Sequence, residues 1–246
     1  MRKYRFVYPV LFSFILFITA LTHAADSPGS YKAQRDEMLQ QRKNGPDPFS
    51  ADDKRIMKQA ADKLAASMTN PGLSIGTRAP DFTLTNAYNK PVHLYDELQK
   101  GPVVLVFYRG AWCPFCNLHL HALEKILPEL KKYNAQLITV TPQKPDKSII
   151  QMKQGKLPFE ILSDLDSHVM KAYNMLYQLP EELVKVYKKH GLDIEEFNGP
   201  GRNILPVPGT YIIDTHAVIR AMHADVDYKE RMEPVDILNV LKNLKP

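Results

Sequence analysis

The most regular signal along this chain is an alternation. Short apolar runs are separated by longer segments in which apolar residues recur every three or four positions. The runs Phe82–Leu84 and Val92–Leu94 flank the polar stretch Asn86–Lys90, which predicts a β-hairpin. Val103 to Tyr108 is apolar without interruption, the pattern of a strand buried on both faces. From Pro114 to Tyr133 a helix is predicted, with Phe115, Leu118, Ala122, Leu123, Ile126, Leu127 and Leu130 as its buried stripe and Pro128 as a kink. A strand over Ala135–Val140, a helix over Asp146–Gly155, a strand over 159–162 and a helix over Asp166–Tyr173 follow. Residues 180–189 predict another helix, and 190–206 a loop rich in Gly and Pro. Tyr211–Asp214 and Val218–Ala224 form a hairpin across Thr215-His216, and a last helix runs from Pro234 to about Leu244 with proline in its first turn. The order predicts an α/β fold, a central mixed β-sheet flanked by helices.

Ahead of this domain, placed at 74–246, lies a helical N-terminal extension with a linker over 25–73. Its first helix is predicted over Tyr31–Lys43. A second starts at Ser50-Ala51-Asp52-Asp53 and runs to about Met68, where Asn70-Pro71-Gly72 ends it. Ile56, Ala60, Leu64 and Met68 share a face, so this helix is expected to pack on the domain and do no more. The first 24 residues read differently. Arg2, Lys3 and Arg5 precede the apolar run Phe6–Leu21, and Thr22-His23-Ala24 supplies small residues before Ala25. That is the grammar of a cleaved signal peptide, and it predicts a periplasmic or secreted protein; an uncleaved membrane anchor is the alternative.

Export changes the charge reading. The 246-residue chain carries a formal charge of +5, and loss of three basic residues with the leader leaves about +2. With no basic stripe interleaved with aromatics, nucleic acid is not an expected partner. The apolar fraction of 44% suffices for a real core.

The chemistry is concentrated in the only two cysteines, in Tyr108-Arg109-Gly110-Ala111-Trp112-Cys113-Pro114-Phe115-Cys116. A strand that ends at Cys-x-x-Cys and turns into a helix brings two sulfurs together within one helical turn. The first faces unpaired backbone N–H groups and the positive end of the helix dipole, which favour a thiolate. A bridge closing two intervening residues adds little stability, so the pair reads as a chemical centre rather than a staple. On this reading Cys113 is the exposed nucleophile and Cys116, one turn inside, resolves the mixed disulfide. Pro114 removes an N–H that the first turn does not need. Arg109 is a candidate for lowering the thiolate pKa by its charge, and Trp112 for shaping the substrate surface. His119 and His121 make a metal cluster with the cysteines conceivable. However, His121 points about 140° from Cys116 around the helix, so a tetrahedral site cannot easily use all four, and both histidines read as surface residues. No metal and no organic cofactor is expected: neither a Gly-x-Gly-x-x-Gly turn nor a Walker loop is present.

Several segments carry a resemblance. Gly76-Thr77-Arg78-Ala79-Pro80-Asp81-Phe82-Thr83-Leu84, the run Val103–Tyr108 into the redox turn, Leu162-Ser163-Asp164, and Val207-Pro208-Gly209-Thr210-Tyr211-Ile212-Ile213-Asp214 resemble the peroxiredoxins of the AhpC/TSA superfamily over about residues 74–244. Leu179–Gly199 and Asp227–Pro234 resemble a peroxiredoxin-like branch with a thioredoxin-type Cys-x-x-Cys. The resemblance implies a thioredoxin-like fold and a thiol-dependent antioxidant oxidoreductase. It would reduce peroxides or protein disulfides through a Cys113/Cys116 dithiol–disulfide cycle and be reset by a thiol electron donor protein. It also implies that Pro208 is a cis-proline beside the redox turn whose backbone pairs with substrate. A homodimer is a candidate assembly, with the inserted segment 177–205 as interface. Departures are plain. On the family pattern Pro-x-x-x-Thr-x-x-Cys, Cys116 takes the peroxidatic position, Cys113 that of the threonine and Arg109 that of the proline, while the active-site arginine falls near Pro208. The attacking cysteine is therefore Cys113 by the thioredoxin analogy and Cys116 by the peroxiredoxin one. Two rival readings are a redox-linked copper chaperone using the cysteines and a histidine, and a binding module with an inert disulfide.

Overall fold

The computed structural model describes residues 30–244; the predicted signal peptide lies outside them. Helices α1 (Tyr31–Lys43) and α2 (Ala51–Ser67) come first. Ser50 and Asp53 start α2 with a reciprocal capping box. Strands β1 (Thr83–Asn86) and β2 (Pro91–His93) form the expected hairpin, α3 (Leu94–Leu98) follows, and β3 (Val103–Phe107) leads to α4 (Pro114–Glu124) and α5 (Leu127–Lys132). Next come β4 (Gln136–Thr141), α6 (Pro145–Gly155), β5 (Glu160–Ser163), α7 (His168–Ala172), β6 (Leu176–Gln178), α8 (Glu181–Lys189), α9 (Ile194–Asn198) and β7 (Ile204–Pro206). The chain closes with β8 (Gly209–Ile213), β9 (Ile219–Ala224) and α10 (Pro234–Asn243).

Seven strands form one sheet in the order β2-β1-β5-β4-β3-β8-β9. β3, β4 and β5 run parallel, and the outer pairings are antiparallel, so the sheet is mixed. Both faces are covered, which explains the unbroken apolar run in β3. Val103, Leu105 and Phe107 point into one core with α3 and α7, whereas Val104, Val106 and Tyr108 point into the other with α4 and α10. Cys113 and Cys116 belong to the second core. A third cluster joins Ala60 of α2 to Leu183 and Val184 of α8.

Three expectations change. The helix expected over 114–133 is broken into α4 and α5, because Pro128 has no N–H and its ring clashes with the carbonyl of Glu124, where α4 ends. The stretch 190–206 contains α9 and β7, and β7 pairs with β6 in a ribbon of three-residue strands too short to show a period in sequence. The segment 177–205 turns its apolar side to α2 of the same chain rather than to solvent. The helix α2 thus packs on the domain, as expected, and does so on this segment.

Candidate active site

The redox turn is held from below by a closed ring of side-chain amides. Gln143 Oε1 accepts from Ala111 N at 2.9 Å, and Gln143 Nε2 donates to Gln151 Oε1 at 3.0 Å. Gln151 Nε2 donates to Asn117 Oδ1 at 2.8 Å, and Asn117 Nδ2 returns to Ala111 O at 2.6 Å. Tyr108 OH donates to Gln151 Oε1 at 2.8 Å. Each buried amide has partners, as a water-poor interior demands. Gly110 takes φ +150°, and a Cβ there would sit 2.6 Å from Trp112 Nε1, so only glycine lets the indole fold over the turn.

Cys113 is the N-cap of α4, and Pro114 occupies its first turn. The exposure expected of Cys113 is not found: both cysteines are 1% exposed, and both are free thiols. The helix sinks into the second core directly after Trp112, which carries the cap residue down with it. Two guanidiniums flank the pair. Arg109 is 7% exposed, stacked between the Trp112 ring at 4.9 Å and the Tyr228 ring at 4.3 Å, and it donates to Tyr187 OH at 3.1 Å. Arg231, equally buried, places Nη2 3.7 Å from Cys116 Sγ and donates from Nη1 to Glu230 O at 2.7 Å. Among the described residues the arginines that form ion pairs with carboxylates are Arg35, Arg55 and Arg220; Arg109 and Arg231 are not among them.

Two buried cations without carboxylates call for an anion, and the dithiol supplies it. Burial resists ionisation of Cys116, but hydrogen bonding with Cys113, the charges of Arg231 and Arg109 and the Arg109 backbone N–H outweigh it and hold the thiol down at about 5. Burial and the neighbouring Cys116 charge push Cys113 well up. The pair therefore keeps one proton, on Cys113. His119 is not a surface residue either. It is 1% exposed, hydrogen-bonded through Nε2 to Met232 O at 3.2 Å, and held down to about 3 by burial and then by Arg231, so it stays neutral. His121 is half exposed on α4 and faces Glu124. Among the described residues the groups close enough together to share a cation are Asp164, Asp166 and His168, a set that does not include the cysteines.

Pro208 is buried at the start of β8, but among the described residues no peptide bond is cis. The Pro208 bond is trans, and the Val207 N–H before it is already bonded, to Met175 O at 2.7 Å. Pro208 instead lines a cavity of about 90 Å³ with Arg109, Tyr187, Tyr228, Leu205 and α2 residues Met57, Ala60 and Leu64. Trp112 is half-buried and packs on the second and third clusters, with Nε1 buried and unpartnered.

The fold and the dithiol can now be compared with known proteins. The sequence profile of the AhpC/TSA family matches residues 75–222. The chain belongs to the AhpC/TSA family. Among curated relatives, a putative peroxiredoxin bcp of Helicobacter pylori is 30% identical over 163 residues, 66% of this chain and 95% of that protein. The thiol-disulfide oxidoreductase ResA of Bacillus thuringiensis is 27% identical over 128 residues, 52% of this chain and 71% of that protein. The solved structure of peroxidoxin BcpB from Mycobacterium tuberculosis superposes with TM-score 0.55 at 18% identity, covering 72% of this chain and all of that one. AhpC of the same organism gives 0.54 at 19%, covering 70% and 93%. The likeness shows the thioredoxin-like fold. The AhpC/TSA match leaves out α1, α2, Tyr228 and Arg231. Sequence reading identified Cys113, Cys116, Arg109 and Trp112, which the fold does bring together. It missed Arg231, because an arginine in the charged run Asp227–Pro234 carries no local sign that it folds back onto α4.

Proposed function

We propose that this AhpC/TSA protein is a thiol-dependent oxidoreductase that reduces peroxides, with Cys116 as the attacking thiolate and Cys113 as the resolving thiol. One observation carries the reading: the buried Cys116 Sγ lies 3.7 Å from the Arg231 guanidinium, and among the described residues neither Arg231 nor Arg109 has a carboxylate partner. Burial favours a small substrate. A small peroxide can reach a sulfur that is 1% exposed, whereas a protein disulfide has to meet the attacking sulfur in line. The Cys116 thiolate attacks one peroxide oxygen, the O–O bond breaks, and a sulfenic acid forms at Cys116. The departing alkoxide takes the proton of Cys113. The Cys113 thiolate then attacks the sulfenic sulfur, hydroxide leaves, and the two cysteines are joined. A dithiol donor protein reduces the bridge.

The AhpC/TSA relatives named as peroxiredoxins support peroxide reduction, and those named as thiol-disulfide oxidoreductases support reset by thiol exchange. Stopped-flow mixing of the reduced protein with hydrogen peroxide tests the reading, with Trp112, the only tryptophan, as reporter. Oxidation many-fold faster than that of a free thiol is expected; Cys116→Ser abolishes it, and Cys113→Ser leaves a trapped sulfenic acid. Oxidation no faster than a free thiol would turn the function to protein disulfide exchange. We further infer export, on the strength of the N-terminal pattern in residues 1–24; N-terminal sequencing of the protein from fractionated cells, with Ala25 as first residue, is the expected outcome.

A further inference from the structure

Arg231 reaches Cys116 from an irregular segment between β9 and α10, and such a segment does not hold a guanidinium in place by itself. Its restraints come from α1. Tyr31, fully buried, donates its OH to Lys229 O at 2.5 Å. Arg35 Nη1 pairs with Glu230 Oε2 at 2.5 Å while its other groups hold Asp36. Lys32 N donates to Glu233 Oε1 at 2.7 Å. The Tyr31 ring also stands edge-on to His119 at 5.3 Å, and His119 holds Met232 O. Residues 229, 230, 232 and 233 are thus each tied down around Arg231, three of them directly by α1. Arg42 of the same helix lies over Phe115, inside the Cys-x-x-Cys turn, at 5.2 Å.

We propose that α1 is a positioning element of the active site, in which Tyr31 and Arg35 fix the 229–233 segment so that the Arg231 guanidinium stays on Cys116 Sγ. This rests on the reading of Cys116 as the working thiolate. The family match covers neither α1 nor Arg231, so helix and arginine form one accessory unit added to the AhpC/TSA domain. The titratable groups facing Cys116 and Arg231 are Cys113, Arg109, Tyr31, Tyr108, His119 and His223. His119 is neutral at working pH, which leaves the two arginines as the cations that act on the sulfur.

The test is the pKa of Cys116, followed by thiolate ultraviolet absorbance against pH in the full chain with Cys113→Ser. Tyr31→Phe removes one hydroxyl and keeps the ring against His119; Arg35→Met removes one ion pair; Arg35→Lys is the conservative rescue. In the double variant Y31F/R35M the pKa should rise by about one unit or more, a roughly tenfold loss of thiolate below it, and Arg35→Lys should recover part of the shift. In a chain already carrying Arg231→Met the same two substitutions should add nothing, because the group they position is gone. A double variant that melts earlier but keeps the wild-type pKa overturns the proposal and leaves α1 as a cover on the core. Equal pKa rises with and without Arg231 overturn it as well. If the wild-type pKa is itself ordinary, the proposed function fails instead, so the two failures are distinguishable.

Discussion

Replacing Arg231 by Met removes a unit charge from beside Cys116 while keeping an apolar chain of similar length in the core. Its Nη2 lies 3.7 Å from Cys116 Sγ. At about 4 Å and an effective permittivity near 20, two unit charges attract by about 4 kcal/mol, or about three pKa units at 1.36 kcal/mol each. The guanidinium charge is spread over three nitrogens, and opposite charges at this range lower measured pKa values by about 1–3 units. Starting from about 5, the Cys116 thiol should therefore titrate between about 6 and 8 in Arg231→Met. The rate follows the thiolate fraction. At pH 6 that fraction falls from about nine-tenths to between about one-half and one-hundredth, so peroxide oxidation should slow by about 2-fold to 100-fold. At pH 9 most of the loss should be recovered, because the thiol is then ionised in either protein. Stopped-flow oxidation of Trp112 fluorescence across pH 5–9 reads both limbs. A pKa within about half a unit of the wild type refutes the electrostatic reasoning. So does a rate loss of equal size at pH 6 and pH 9, which would put Arg231 on the peroxide rather than on the sulfur.

Other consequences can be read without kinetics. The folded pKa of Cys116, about 5, lies below its unfolded value, so the stability of the reduced protein should rise with pH from about 5 to about 8.5. Above that it should fall again, since folded Cys113 retains a proton that the unfolded chain releases; the disulfide form should show neither trend in thermal melts. At pH 7 the reduction potential of Arg231→Met against a glutathione buffer should drop by about 30–60 mV, about 30 mV for each unit by which the thiol pKa rises up to that pH, and an unchanged potential would contradict the pairing. Gln143→Leu leaves Ala111 N without its partner and breaks the amide ring, so it should cost about 1–3 kcal/mol in denaturant unfolding. Gly110→Ala should displace the indole and shift Trp112 emission, given a Cβ that would lie 2.6 Å from Nε1; an unaltered spectrum would mean the turn relaxes elsewhere.

What was legible in the sequence is what local periodicity encodes. The hairpin of β1 and β2, the doubly buried β3, the capped α2 and the Cys-x-x-Cys at the head of α4 each declare themselves within about ten residues. The paired thiols, Arg109 and Trp112 were legible because one turn contains them all. The errors lie where tertiary context decides. Nothing local distinguishes a Cys113 at a surface from one drawn to 1% exposure by the helix behind it. A proline before a strand looks the same in sequence whether its peptide bond is cis or, as at Pro208, trans. His119 follows Asn117 and Leu118 in a helix whose polar positions were assumed to face water, and α1 covers that face. Arg231 is 115 residues from the sulfur it touches.

The same charges serve both halves of the cycle. A thiolate held near pH 5 is present for attack at neutral pH, and each unit of that depression also stabilises the reduced pair relative to the disulfide. Once the bridge forms, the anion is gone, and Arg109 and Arg231 are left buried beside an uncharged disulfide, with no carboxylate partner among the described residues. The oxidised state is therefore the electrostatically poorer one, and electrons from a thiol donor restore the pairing. A carboxylate placed beside either arginine would relieve the buried charge in both redox states, and would remove the preference for the thiolate that makes the site reactive. That neither arginine has one among the described residues is thus part of the chemistry: the Cys116 sulfur is the group left to balance Arg231.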